Sequence, residues 1–110
     1  MTYTVLITKT AERDLSRAAD HIEFVLKNPS AADALLNEAE RTAAALSQMP
    51  ERWPAVDDKL LSAQGIRWVR VKNYLMFYTV SQAEKTVTIL RFLYGRSDWM
   101  PLLRRDLCAD

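Results

Sequence analysis

Five of the eight cations after residue 66 stand at spacings that a polyanion could use: Arg67, Arg70, Lys72, Arg91 and Arg96. Groups of this kind stabilise the charge that builds on a phosphate during phosphoryl chemistry. Cleaving RNA through its own 2′-hydroxyl needs more, namely a base and an acid for the leaving oxygen. Those are scarce. His21, the single histidine, falls on a helical stretch beside an apolar stripe, where a partly exposed helix residue is the expected reading. Tyr74 and Tyr78 share one face of an apolar strand, so core packing with a satisfied hydroxyl is the default for both. Tyr94, at a strand end before Gly95, is the good candidate for an exposed acid. Cys108 and His21 stand apart rather than at ligand spacing, so no metal is expected. Gly65 and Gly95 are the only glycines, too few for a phosphate-cradling loop, and no other cofactor is implied. A nucleophilic triad cannot be built on one histidine so placed.

The elements that must carry the cations are β-strands. Residues 66–72, 74–80 and 86–94 are rich in branched and flat side chains that suit a pleated surface. The first run puts Arg67, Val69 and Val71 on one face and Ile66, Trp68, Arg70 and Lys72 on the other. The second is apolar or aromatic on both faces, which marks a strand covered on both sides. The third alternates Val87, Ile89, Arg91 and Leu93 with Thr88, Leu90, Phe92 and Tyr94. Asn73 is expected to take the positive φ of a tight reversal, and residues 81–85 form a polar link of hairpin length. An antiparallel meander follows.

Upstream, residues 3–7 read as a short strand, and Thr8 or Thr10 can cap the next helix. Across residues 11–28, Leu15, Ala18, Ala19, Ile22, Val25 and Leu26 make one apolar stripe. Asn28-Pro29 ends it. Ser30 is the expected next cap, with Asp33 at the acid position of a capping box. Ala32, Leu35, Leu36, Ala39, Ala43 and Leu46 then form a second stripe up to Met49-Pro50. Residues 51–65 show no periodicity and read as a connecting loop. Ser97 or Asp98 can cap a short helix over residues 98–107, with Pro101 in its first turn. The fold class is α+β: a small antiparallel sheet, made of an N-terminal strand and a three-stranded C-terminal meander, packed by an N-terminal helical hairpin whose apolar face must be buried.

A chain of this length makes one domain, residues 1–110. Its composition, 49% hydrophobic and 26% charged, is that of a soluble globular protein. No run approaches membrane-spanning length and no signal peptide opens the chain. A lone cysteine cannot form an internal disulfide, which points to a reducing cytoplasm. Net charge is +1, yet residues 1–65 carry seven Lys/Arg against ten Asp/Glu and residues 66–110 carry eight against four. Such asymmetry favours an acidic partner or a nucleic-acid backbone, with a solvated sheet face as the plainer reading.

Gly65-Ile66-Arg67, Asn73-Tyr74-Leu75-Met76-Phe77-Tyr78, residues 87–94 and Gly95-Arg96-Ser97-Asp98, in this order, resemble the RelE/ParE superfamily of bacterial toxins. The likeness spans nearly the whole chain. It implies the toxin half of a type II toxin–antitoxin, or plasmid stabilisation, module and a cognate antitoxin that covers the working surface. It allows a homodimer or a toxin–antitoxin hetero-oligomer. An acidic disordered segment folding onto a basic, aromatic sheet would fit physically. The superfamily divides into ribosome-dependent mRNA endonucleases and inhibitors of DNA gyrase. RelE-like nucleases carry arginine just after the tyrosine that opens the central strand, and here that place is Leu75. A histidine–tyrosine pair of a sister nuclease group is absent near the C-terminus. The ParE-like pattern fits better: Arg67 on the first meander strand, an uncharged aromatic central strand, Arg91, and Leu93-Tyr94-Gly95 where a Leu-His-Gly-like turn is common. By that resemblance Tyr94, Arg96, Asp98 and Trp99 are nominated for target binding, alongside Arg67, Arg70, Lys72 and Arg91. The plainer roles are an Arg96–Asp98 ion pair fixing the tail and Trp99 closing the core. In the nuclease alternative, Arg67, Arg70, Lys72, Arg91 and Arg96 cradle RNA and Tyr94 is the acid. A further alternative is a non-toxic partner-binding domain of the same fold.

Overall fold

The computed structural model describes residues 2–107, with the side chains of Asp106 and Leu107 excepted; the Cys108 expectation lies outside the described residues. The order is β1 (Thr4–Ile7), α1 (Lys9–Asp20), a π-helical turn (His21–Val25), α2 (Pro29–Leu46), a 3-10 turn (Pro50–Arg52), α3 (Lys59–Ala63), β2 (Arg67–Val71), β3 (Tyr74–Ser81), β4 (Thr86–Tyr94) and α4 (Trp99–Leu107). The sheet runs β1-β4-β3-β2. The meander is antiparallel throughout, but β1 lies parallel to β4, which corrects the expected antiparallel sheet to a mixed one: the helical connection brings the chain back to the sheet in the direction of β1. The α+β class and the hairpin-on-meander plan are as the sequence implies. No described helix is long and apolar enough to cross a membrane.

Thr8 shows how a single side chain joins local structure to packing. Its hydroxyl oxygen accepts from the Ala11 N–H at 3.1 Å, capping α1, and its O–H donates to the Leu90 carbonyl at 3.1 Å. The cap therefore docks the helix on β4 as it starts it. At the far end, the Leu26 N–H reaches the His21 carbonyl five residues back, at 3.0 Å. The extra residue of this π turn rotates the stripe. Val25 and Leu26, expected on the buried face, are instead 65% and 60% exposed. The cap of α2 is Asn28, whose side chain accepts from the Ala31 N–H, with Pro29 in the first turn. Ser30 is thereby displaced from the expected cap position, because proline suits the first helical turn and asparagine before it caps well.

Two cores sandwich the sheet. On one face the hairpin contributes Ala11, Ala18, Leu35, Ala39 and Leu46 against Val69, Val71, Met76, Tyr78, Val87, Ile89 and Phe92. On the other, α3 and α4 contribute Leu61 and Leu103 against Ile66, Phe77 and Leu93. The expected loop over residues 51–65 thus holds a 3-10 turn and a short helix. The Asp58 carboxylate caps α3 through the Leu61 N–H and pairs with Arg104 of α4. A β-bulge corrects the expected alternation in β4: Phe77 pairs with Arg91 but Tyr78 with Ile89, leaving Leu90 as the extra residue. Phe92 then falls in the core of Val87 and Ile89, while Leu93 joins the opposite core.

Tyr78 is fully buried, and its hydroxyl donates to the Pro50 carbonyl, tying the 3-10 turn to β3. Burial pushes its phenol up to about 12, against a slight opposing pull from Arg67. Because the folded value exceeds the unfolded one, the protonated phenol supports the fold below pH ~10 and that support drains away up to pH ~12. Tyr78→Phe is expected to cost about 1–3 kcal/mol at neutral pH by stranding a buried carbonyl. The gap to wild type should shrink as urea midpoints are followed from pH 9 to 12. A gap independent of pH over that range would show that the phenol ionises without resistance.

Candidate target-binding surface

The predicted cations do not act as one group. The guanidinium of Arg91 is drawn into the hairpin face, where its Nε and Nη2 donate to the Asp14 carboxylate of α1 at 2.7 and 3.1 Å. The two side chains are only 14% and 8% exposed. Asp14 also accepts from the Phe92 N–H at 3.1 Å. It does so beyond Ile89, where β1 has stopped pairing with β4, so a carboxylate takes the place of the next strand residue. Arg67 Nη1 donates to the Glu51 and Trp53 carbonyls, at 3.2 and 2.6 Å, and the Arg67 guanidinium stands 3.9 Å from the Glu51 carboxylate. This arginine pins the loop before α3.

Arg70 and Arg96 do come together. The β2–β3 reversal is made by Lys72 at φ 58°, not by Asn73. Arg70 Nε folds over it and donates to the Lys72 carbonyl at 2.9 Å. The Gly95 N–H donates to the Asn73 carbonyl at 2.8 Å, drawing the end of β4 against the same turn. A Cβ on Gly95 would lie 3.1 Å from that oxygen, so glycine permits the approach. The outcome is a shallow cleft of about 190 Å³ lined by Trp68, Arg70, Asn73, Leu75, Gly95 and Arg96. Lys72 is exposed beside it.

Tyr94 lines a different cleft on the hairpin side, about 550 Å³ in volume, with His21, Tyr74 and Asn73 among its walls. Burial, with Tyr94 close by, raises the Tyr74 phenol above its ordinary value. Trp99 packs on Phe77 with ring centroids 5.0 Å apart, and Asp98 is exposed. Among the described residues no ion pair joins Arg96 to Asp98, and no cluster of three or more His, Cys, Asp or Glu could hold a metal ion. Asp14 escaped the sequence reading, although the signal was present. It sits three residues after Ala11 and four before Ala18, both buried, so an acid on the core-facing stripe required a basic partner.

The pattern that describes the ParE toxin of the type II toxin–antitoxin system parDE matches residues 5–99. Curated proteins provide no match. Among solved structures, the chain is similar to one of a chromosomal ParDE toxin–antitoxin system from P. aeruginosa, with TM-score 0.67 and 20% identity over 84% of this chain and 96% of that one. It is also similar to a chain of the RelBE2 toxin–antitoxin complex from Mycobacterium tuberculosis, with TM-score 0.59 and 27% identity over 86% and 99%. An archaeal RelE–RelB complex from Pyrococcus horikoshii gives TM-score 0.59 and 20% identity over 88% and 100%. With the meander, the hairpin and the sequence pattern in agreement, the chain belongs to the ParE toxin family and is a toxin of a type II toxin–antitoxin system.

Proposed function

We propose that this toxin works by binding rather than by cutting, with DNA gyrase as its target and a cognate antitoxin as its inhibitor in the cytoplasm. The observation that carries the reading is the content of the arginine cleft. Its lining has two guanidinium groups, an indole, an amide and Leu75, but no imidazole, phenol or carboxylate. Tyr94, the acid a nuclease mechanism would call on, opens to the other cleft. A surface of this kind attracts an acidic or phosphate-bearing partner and offers no group for proton transfer at neutral pH. Arg70, Lys72 and Arg96 are the proposed contact residues. Arg67 and Arg91 support them from within the fold, Asp98 borders the segment and Trp99 anchors it.

Purified toxin is expected to block supercoiling by gyrase and to leave in-vitro translation and its mRNA intact. Cleavage of mRNA in the ribosomal A site with supercoiling untouched would overturn the proposal. The double variant Arg70→Ala/Arg96→Ala should lose toxicity in cells by more than about tenfold. Its unfolding free energy should stay within about 0.5 kcal/mol of wild type, since both side chains are exposed. Full toxicity in a folded double variant would move the contact surface elsewhere.

A further inference from the structure

The sheet has a cleft on each face at the end where β2 turns into β3, and Asn73 lines both. We propose that the larger one, on the hairpin side, is a binding site for a flat uncharged heterocycle of nucleobase type, either free or carried on a single strand. Its volume, about 550 Å³, lies within the range of small-ligand sites. It stands apart from the arginine cleft and does not depend on the gyrase reading.

The wall is aromatic and fixed. Tyr74 stacks on Phe92 at 5.1 Å with planes 10° apart, and Tyr94 meets Tyr74 edge-on at 5.4 Å and 66°. Tyr94 is 41% exposed, so its ring remains available to a ligand. Five hydrogen-bonding side chains line this cleft: the His21 imidazole, the Asn28 and Asn73 amides and the Tyr74 and Tyr94 hydroxyls. Asn28 Oδ1 accepts from the Ala31 N–H, whereas the other four have no hydrogen-bond partner among the described residues, and His21, Asn73 and Tyr94 are exposed to solvent. Side chains that are satisfied by water alone can exchange that water for the edge of a ligand. The lining contains no Lys, Arg, Asp or Glu, so a charged ligand would find no complement. Stacking surface, mixed donors and acceptors and absence of charge together describe a base edge and face. The π turn is what admits the ligand. It sets His21 and Leu26 at the rim and turns Leu26 off the core, leaving the mouth unfilled.

The test is an amide NMR titration of the full chain with adenosine, guanosine, cytidine and uridine, with ribose and inorganic phosphate as separate controls. At least one nucleoside should give saturable shifts at His21, Asn73 and Tyr94, with a midpoint of about 0.1–1 mM. Ribose and phosphate should give none. Tyr94→Ala should weaken binding by about tenfold or more, and Ala31→Phe, which fills the cleft from α2, should remove it. A single-stranded tetranucleotide binding more than about tenfold tighter than the nucleoside would assign the base to a strand, and equal affinity would assign it to a free nucleoside. No shift with any nucleoside at about 10 mM would overturn the proposal. So would the same shifts in folded Tyr94→Ala and Ala31→Phe proteins, or shifts reproduced by ribose.

Discussion

Asp14→Ala is expected to lower the stability of this protein by about 3–5 kcal/mol, the range for removing one partner of a buried ion pair. Three donors converge on that carboxylate: Arg91 Nε, Arg91 Nη2 and the Phe92 N–H. Alanine would take away the carboxylate that holds Nε and Nη2 of a largely buried guanidinium and leave a strand-edge N–H without its acceptor. For a domain of this size the midpoint should fall by upward of about 12 °C. Asp14→Asn keeps an acceptor for the Phe92 N–H and removes the charge, so an intermediate loss is expected. The decisive comparison is the double variant Asp14→Leu/Arg91→Met. Replacing both partners with apolar groups of similar size removes the buried guanidinium together with its carboxylate, and the double variant should be more stable than Asp14→Leu alone. Losses that simply add, or an Asp14→Ala loss under about 1 kcal/mol, would mean that water already solvates the pair. The consequence for function is direct. The pair holds the stretch of β4 that leads into Tyr94, Gly95 and Arg96, so toxicity lost on changing Arg91 must be read beside the midpoint.

That pair also marks where the sequence stopped being legible. The meander and both hairpin helices could be read because period-2 and period-3.6 patterns survive whatever they pack against. The π turn could not, since the same apolar residues read as one continuous stripe until an extra residue rotates Val25 and Leu26 outward. The β4 bulge hid for the same reason: Leu90 is apolar, like its neighbours, and nothing in its type announces an unpaired residue. α3, five residues long, is too short for periodicity to register. At the site, the sequence offered a set of residue types but could not sort them. Arg67, Arg70, Arg91 and Arg96 look alike in a string. In the fold, Arg67 and Arg91 are held by loop carbonyls and a helix carboxylate, while Arg70 and Arg96 meet across a cleft. The sorting depends on where β1 ends and where Gly95 meets Asn73, and both are tertiary facts.

Phe77→Ala should be as costly, about 3–5 kcal/mol, but by a different route and with a different signature. Phe77 is fully buried at the centre of the second core, where it meets Trp99 at the start of α4. Truncation removes the surface on which the start of α4 rests, so that the helix depends more on Met100, Leu103 and Arg104, which pairs with Asp58. The pair is partly exposed and contributes little by itself. Hydrogen exchange is therefore expected to show α4 amides opening well before the sheet in Phe77→Ala, with β3 and β4 still protected. Leu103→Ala, which hollows the same contact from the helix side, should give the same order of opening at about 2–5 kcal/mol. If α4 keeps its wild-type protection in both variants while the whole protein weakens, the second core does not hold the helix, and the sheet is roofed on that face by something other than the Phe77–Trp99 contact. If α4 opens first, the arginine cleft should feel it, because Trp68 belongs to the second core and also lines that cleft. A hydrophobic contact then sets how firmly Arg70 and Arg96 are presented on the same face of the sheet.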